Sequence, residues 1–208
     1  MTQGHEITPR KRPTQARAQA TFDALVEACA RLLPELGYER LTTNAIAERA
    51  GTGIGSLYEY FPGKDAIIAQ VVERLVERVM QRLGRELDAI LKAQPEDAVG
   101  SWIARVHEIM ESERELVAVL SQQVPYTRQL ECLRNLPATL LEFSERARVA
   151  AGIAMPRPAA TLLLINNLVS STIMQVVLGP PEGVSKAEMI GTLSAHVGEL
   201  IAASAGRP

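Results

Sequence analysis

The stretch Thr42–Lys64, TTNAIAERAGTGIGSLYEYFPGK, most constrains what this chain can fold into. Thr42, Thr43 and Asn44 offer capping oxygens ahead of the apolar run Ala45-Ile46-Ala47, and Glu48 can close the capping arrangement. Each glycine between Gly51 and Gly55 costs a helix about 1 kcal/mol relative to alanine, so a turn is expected there. A second short helix then runs to Phe61, and Pro62-Gly63 ends it. Two helices joined by a glycine-containing turn make a helix-turn-helix, a plan in which the second helix enters the DNA major groove. On a helix, Leu57 and Phe61 share one side with Ile54 beside them, and this side is expected to pack inward. Gly55, Ser56 and Glu59 then point away, with Tyr58 and Tyr60 on the flanks. Small and hydrogen-bonding groups outward suit a helix that reads bases.

The literal string adds to this pattern. Ile46-Ala47, Ala50-Gly51, Gly55, Leu57-Tyr58, Tyr60-Phe61 and Lys64 together resemble the DNA-binding signature of the TetR family of transcriptional regulators. Upstream, Glu35-Leu36-Gly37-Tyr38 followed by Leu41-Thr42-Thr43 is similar to the end of that family's first helix. The resemblance covers roughly residues 15–75, and beyond it is architectural only: it implies a variable helical body. It also implies a repressor that binds a palindromic operator as a homodimer and is released by a small-molecule effector. There are departures. Gly53 stands where the family usually has a capping serine, so Thr52 is the substitute cap, and Pro34 should kink or shorten the first helix.

Charge is distributed to match. The net charge is −2, which argues against wholesale electrostatic binding of nucleic acid. Residues 1–64 hold eight Lys/Arg against seven Asp/Glu, and the remainder holds 14 against 17. A basic, disordered arm over 1–13, with Arg10, Lys11 and Arg12, leads a helix-turn-helix domain over 14–64 and an acidic helical domain over 65–208. Cys29 and Cys132 are too few for a disulfide framework, and no apolar run follows the basic N-terminus, so a reducing cytoplasm is expected.

Periodicity predicts an all-α fold of about nine helices. The expected spans are 14–36, two short helices in 42–61, then 64–92, 95–110, 112–123, 126–151, 159–178 and 185–203. Pro95 suits a first helical turn, and Pro137 predicts a kink. The 159–178 helix has the length of a membrane span, but Asn166, Asn167 and Gln175 favour a helix buried on all sides instead. No membrane is expected as a partner. In the last helix, Gly191, Ser194, Ala195 and Gly198 recur at three- and four-residue steps and permit close helix approach. With Leu168 and Met174 they are the expected dimer interface, a four-helix bundle with a second subunit.

Catalytic and cofactor chemistry finds no support. Gly51, Gly53 and Gly55 lack the spacing and the preceding strand of a dinucleotide loop, and Gly63-Lys64-Asp65 lacks the hydroxyl of a phosphate loop. His5, His107 and His196 have no second ligand at helical spacing, so no metal is expected. The acidic run Glu111–Glu115 reads as a solvated helix start. No catalytic residue and no cofactor are assigned.

The expected DNA contacts are Thr42, Thr43, Thr52, Gly53, Ile54, Gly55, Ser56, Tyr58, Tyr60 and Lys64. Lys64, Thr42, Thr43 and the tyrosine hydroxyls serve phosphates, while Ser56, Gly55 and Ile54 face base edges. Glu59 accepts from a cytosine amine or pairs with a nearby basic residue, and Arg10–Arg12 reach the minor groove. The expected effector pocket is Trp102, Val106, His107, Met110, Tyr126, Phe143, Asn166, Asn167 and Ser170. The competing readings are a helical ligand-binding or scaffold protein with a structural helix-turn-helix, and a regulator that activates.

Overall fold

The computed structural model describes residues 6–94 and 97–205. Nine α-helices and one 3-10 turn make up the described residues, and no strand occurs among them. In chain order they are α1 (Ala16–Arg40), α2 (Thr43–Arg49), α3 (Ile54–Tyr60), α4 (Lys64–Ala93), α5 (Ala98–Ser112), α6 (Arg114–Gln123), the 3-10 turn Thr127–Gln129, α7 (Glu131–Ala150), α8 (Pro158–Leu178) and α9 (Lys186–Ala205). The expected class is borne out. Pro95, read as a first-turn proline, lies outside the described residues, as do His5 and the first five residues of the arm.

The chain divides into two compact units, and the division does not follow the chain order expected of it. One unit, the head, takes the chain up to Glu77 together with Glu115–Arg134; the other, the body, takes Arg78–Arg114 and the chain from Asn135. The boundary falls inside α4, and α6 with the turn after it belongs to the head.

In the head, α1 buries Phe22, Leu25, Val26, Cys29, Leu32 and Leu33 on one stripe. The expected irregularity falls at Gly37 and not at Pro34: Gly37 has φ 76 and ψ 164, a conformation that favours glycine, while the helix runs through Pro34. Residues 38–40 therefore leave along a new direction, and Tyr38 is buried. The first residues of α4, Ala66 to Val72, are nearly all buried as well.

In the body, Ile103, Ile165, Ile173, Val177, Leu193 and Val197 form a core from α5, α8 and α9. A second cluster joins Leu83 of α4, Ile109 of α5 and Phe143 of α7. Trp102 and Val106 pack against both clusters. Asp97 caps α5, its Oδ1 accepting from the Gly100 N–H at 2.7 Å. The acidic run proves to be a helix end more than a start: Glu111 and Ser112 finish α5, Glu113 is its C-cap, and only Arg114 and Glu115 open α6. Glu113 takes Arg78 at 3.0 Å.

Helix α8 corrects the expectation of burial on all sides. It is long and apolar enough to cross a membrane by length and composition, with a mean hydropathy of 1.6, yet only 28% of that window is buried. One side packs into the core; the other leaves Leu163, Leu164 and Leu168 at 41%, 56% and 37% exposure. A single helix of this kind is weak evidence for a membrane span, because core helices with a second packing surface have the same composition.

Candidate nucleic-acid interface

The helix-turn-helix is built as its sequence dictates at its first helix and differently at its second. Thr42 is the N-cap of α2, and its Oγ1 accepts from the Ala45 N–H at 3.2 Å. Ile46 and Ala47 are buried beneath it. Gly51 takes a φ of 66 in the turn, and the Thr52 N–H donates to the Ala47 carbonyl at 3.0 Å. The N-cap of α3 is Gly53, with ordinary extended φ and no side-chain cap bond, so Thr52 does not substitute for the missing hydroxyl.

The faces of α3 are now fixed. Leu57 and Phe61 are fully buried, as expected. Ile54 is 38% exposed and does not join the inward side. Gly55 and Glu59 are exposed, Ser56 is half-buried, and Tyr58 is 42% exposed. Tyr60, expected on the flank, is instead a core residue: its ring stands edge-on to Phe22 with centroids 5.9 Å apart. A residue so buried is poorly placed to reach phosphate. Thr43 and Tyr58 come together, their hydroxyl oxygens 3.1 Å apart, so the exposed phenol of α3 is tied to the first turn of α2.

Lys64 faces inward. Its Nζ donates to the carbonyls of Tyr38 at 2.6 Å and Leu41 at 3.1 Å, and lies 4.3 Å from the Tyr38 ring centroid. The ammonium thereby satisfies carbonyls that the end of α1 leaves open. Next to it, the Asp65 carboxylate accepts from the Tyr38 hydroxyl at 3.0 Å and the Tyr126 hydroxyl at 3.1 Å, while Gln123 Oε1 accepts from the Tyr38 N–H at 3.0 Å. Burial, together with the bond to Asp65, pushes the Tyr38 phenol up to about 12. Burial first, and the Asp65 charge second, raise the Tyr126 phenol as well. Periodicity alone misses this network, since Asp65 and Gln123 look like ordinary solvated positions. Gly37 is the one signal for it, because a glycine late in an apolar helix marks a redirected chain.

The arm is not disordered throughout. The Arg10 N–H donates to the Tyr60 carbonyl at 2.8 Å, and Arg10 Nη1 donates to the Tyr58 carbonyl at 3.3 Å. Both carbonyls lie in the last turn of α3, where no intrahelical donor remains. Arg12 Nη2 holds the two oxygens of Glu73 at 3.2 and 3.1 Å, and Gln70 donates to Glu73 at 2.7 Å. Two of the three basic residues are thus engaged on the protein itself.

The residues expected around an effector divide three ways. Trp102 and Phe143 stack with centroids 5.7 Å apart, and Val106 and Met110 pack on the same core. Asn166 Oδ1 accepts from the Ser144 hydroxyl at 2.8 Å, and His107 lies on α5 with its Nε2 3.9 Å from Glu111 Oε2. Asn167 and Ser170 are exposed. Tyr126 belongs to the head and is fully buried there, so it leaves the group. Of the expected dimer residues, Leu168, Gly191 and Ala195 are exposed, Met174 and Gly198 are half-buried, and Ser194 donates to the Ile190 carbonyl at 2.9 Å. A Cβ placed on Gly191 or Gly198 would meet nothing within 4 Å.

Residues 25–71 match the family described as bacterial regulatory proteins, tetR family. The A-factor receptor protein of Streptomyces griseus is 37% identical over 59 residues, 28% of this chain and 21% of that protein. The HTH-type transcriptional repressor DrrR1 of Streptomyces coeruleorubidus is 33% identical over 66 residues, 31% of this chain and 24% of that protein. The matched part thus spans about a quarter or less of these relatives. In fold, a TetR-family transcriptional regulator from Pectobacterium atrosepticum superposes with a TM-score of 0.63 at 19% identity, over 94% of this chain and 100% of that one.

Proposed function

From the match of residues 25–71 to the tetR family of bacterial regulatory proteins, we propose that this chain is a repressor that binds a palindromic operator as a homodimer through α3. The observation that carries this reading is the outward side of α3: Ile54, Gly55, Tyr58 and Glu59 are exposed while Leu57 and Phe61 anchor the helix from behind. Ile54 offers its methyl groups to a thymine methyl, Ser56 offers a donor and acceptor to base edges, and Gly55 lets the backbone approach. Thr42, Thr43 and Tyr58 stand where phosphate oxygens would flank the helix, Tyr58 already oriented by its hydroxyl pair with Thr43. Lys64 and Tyr60 act from inside the head: the first holds the end of α1, the second packs α3 on Phe22. Arg10 caps α3, which leaves Lys11 as the basic residue of the arm nearest to a phosphate role. A family of regulators supports a protein without catalysis.

The second copy docks on the exposed sides of α8 and α9. Leu164 and Leu168 of α8 and the small residues Gly191 and Ala195 of α9 form an apolar, closely approachable surface. Two heads then face successive major grooves about 34–36 Å apart. An effector held by the body shifts α4, which carries the chain from body to head, and the spacing no longer fits the operator.

A salt titration of duplex binding tests this reading. Anisotropy of a labelled duplex from the region upstream of the gene should rise with nanomolar protein and fall steeply between 50 and 200 mM salt, on the order of tenfold or more. Binding that is absent at low salt, in a well-folded preparation, sinks it.

A further inference from the structure

The segment Pro9-Arg10-Lys11-Arg12-Pro13 bonds to two helices of the head at once. At the end of α3, the Arg10 N–H donates to the Tyr60 carbonyl at 2.8 Å and Arg10 Nη1 to the Tyr58 carbonyl at 3.3 Å. Two residues on, Arg12 Nη2 donates to both carboxylate oxygens of Glu73 on α4 at 3.2 and 3.1 Å. Glu73 is itself held by the buried side chain of Gln70, which donates to it at 2.7 Å. Pro13 then lines a cleft with Phe22 of α1 and Gln70 and Arg74 of α4. Pro9 and Pro13 are both half-buried.

Helix α3 needs such a hold. It has seven residues, about two turns, too few for a helix to persist on its own. Its N-cap, Gly53, makes no side-chain cap bond, so its first turn is held by packing alone. At its other end, the Leu57 carbonyl accepts from the Phe61 N–H at 2.9 Å, and the Tyr58 and Tyr60 carbonyls accept from Arg10. A guanidinium there also complements the negative end of the helix. The prolines lower the entropy lost on docking: Pro9 and Pro13 fix their own φ and bias Thr8 and Arg12 towards extended backbone. Exposure ranks the two arginines. The side chains of Arg12 and Glu73 are 67% and 35% exposed, so that pair contributes little by itself and serves to aim the arm. The Arg10 bonds act on α3 directly.

We propose that Arg10 and Arg12 are positioning residues for duplex binding: the arm straps the end of α3 to α4, and both arginines act through the placement of α3, not as charges on phosphate. This rests on reading α3 as the helix that enters the groove. The alternative is the minor-groove role, in which both guanidinium groups leave the protein for the DNA. Counterion release separates the two, because each phosphate contact adds about one to the slope of log affinity against log salt.

Duplex from the region upstream of the gene, titrated with the full chain at several salt concentrations, supplies that slope. Arg10→Ala should weaken binding about fivefold with the slope unchanged. Arg12→Glu should weaken it about threefold, and Glu73→Arg in the same chain should restore it, since the pair is remade in reverse. A slope smaller by about one in Arg10→Ala overturns the proposal, as does an Arg12→Glu defect that Glu73→Arg leaves in place. Amide exchange decides the strap without DNA. In the unaltered protein the Arg10 amide should exchange about tenfold or more slowly than in an unstructured peptide, and Arg10→Ala should speed the Leu57 and Phe61 amides. Exchange of the Arg10 amide at the peptide rate overturns the proposal and needs no variant to fold. Slow exchange in a chain that binds no duplex keeps the strap on α3 and refutes the reading of α3 beneath it.

Discussion

The head and the body spend their polar groups in opposite ways. In the head, Asp65 serves two phenols, Gln123 Oε1 serves the Tyr38 N–H, Lys64 serves two carbonyls, and Arg10 serves two more. Burial there runs along one stripe of α1 and through Ala66 to Val72 of α4. In the body, three buried side-chain polar atoms lack a hydrogen-bond partner among the described residues, and α8 turns large aliphatic side chains to solvent. On the proposed reading, the contrast matches what each unit does: the head holds a seven-residue helix in one fixed position through the bonds named above, while the body, proposed to receive a second copy and a small molecule, keeps apolar surface exposed.

The strongest way to break this contrast is to block the reserved surface. Gly198→Leu together with Gly191→Leu adds bulk where the single chain has open space, so the monomer should fold unchanged. Sedimentation should shift from dimer to monomer, and operator affinity should fall about a hundredfold or more as the paired heads are lost. A variant that still sediments as a dimer places the interface elsewhere.

Breaking the closed network of the head comes next. Asp65→Ala removes the carboxylate to which the Tyr38 and Tyr126 hydroxyls donate, leaving Tyr126 the residue-65 carbonyl at 3.3 Å, and should cost roughly 2–4 kcal/mol by denaturant unfolding. A loss under about 0.5 kcal/mol would mean that the network contributes little. The same network predicts an alkaline limit. The Tyr38 phenol is raised from 10.0 to about 12 in the folded state, so its contribution is complete below pH 10 and is lost as pH rises towards 12. Thermal midpoints of Tyr38→Phe should therefore fall less steeply across that window than those of the unaltered chain.

Two smaller changes sharpen the description of α3. Tyr58→Phe removes one exposed hydroxyl and should weaken duplex binding about five- to tenfold with stability nearly unchanged. Unaltered affinity would strike Tyr58 from the DNA contacts. Gly53→Ser supplies the missing cap oxygen at an N-cap whose Cβ has open space, and should stabilise the head by a few tenths of a kcal/mol.

The same contrast decides how much was legible in the chain. The helix-turn-helix could be read because its rules are local: a threonine cap, a glycine turn and a Pro-Gly stop each act within four residues. Leu57 and Phe61 followed from spacing alone. Tyr60 did not, because its burial is decided by Phe22, 38 residues earlier, and no local pattern separates a phenol in a core from one at a surface. The assignment of α6 to the head was equally out of reach, since Gln123 and Tyr126 find Tyr38 and Asp65 across 61 to 85 residues. For α8, composition identified an apolar helix but could not distinguish a helix packed on all sides from one packed on one side with leucines left exposed on the other. Asn166 and Asn167, neighbours in sequence, stand about 100° apart on the helix, and one is half-buried while the other is exposed.

Selection of bound duplexes from a random pool, with the unaltered protein, tests the central claim most directly. The account predicts enrichment of an inverted repeat whose half-sites are centred about 10 base pairs apart or a multiple of it, lost when Ser56 and Tyr58 are both replaced by alanine. A pool that enriches no sequence, or enriches the same repeat with the double variant, would contradict the assignment of α3 as the reading helix.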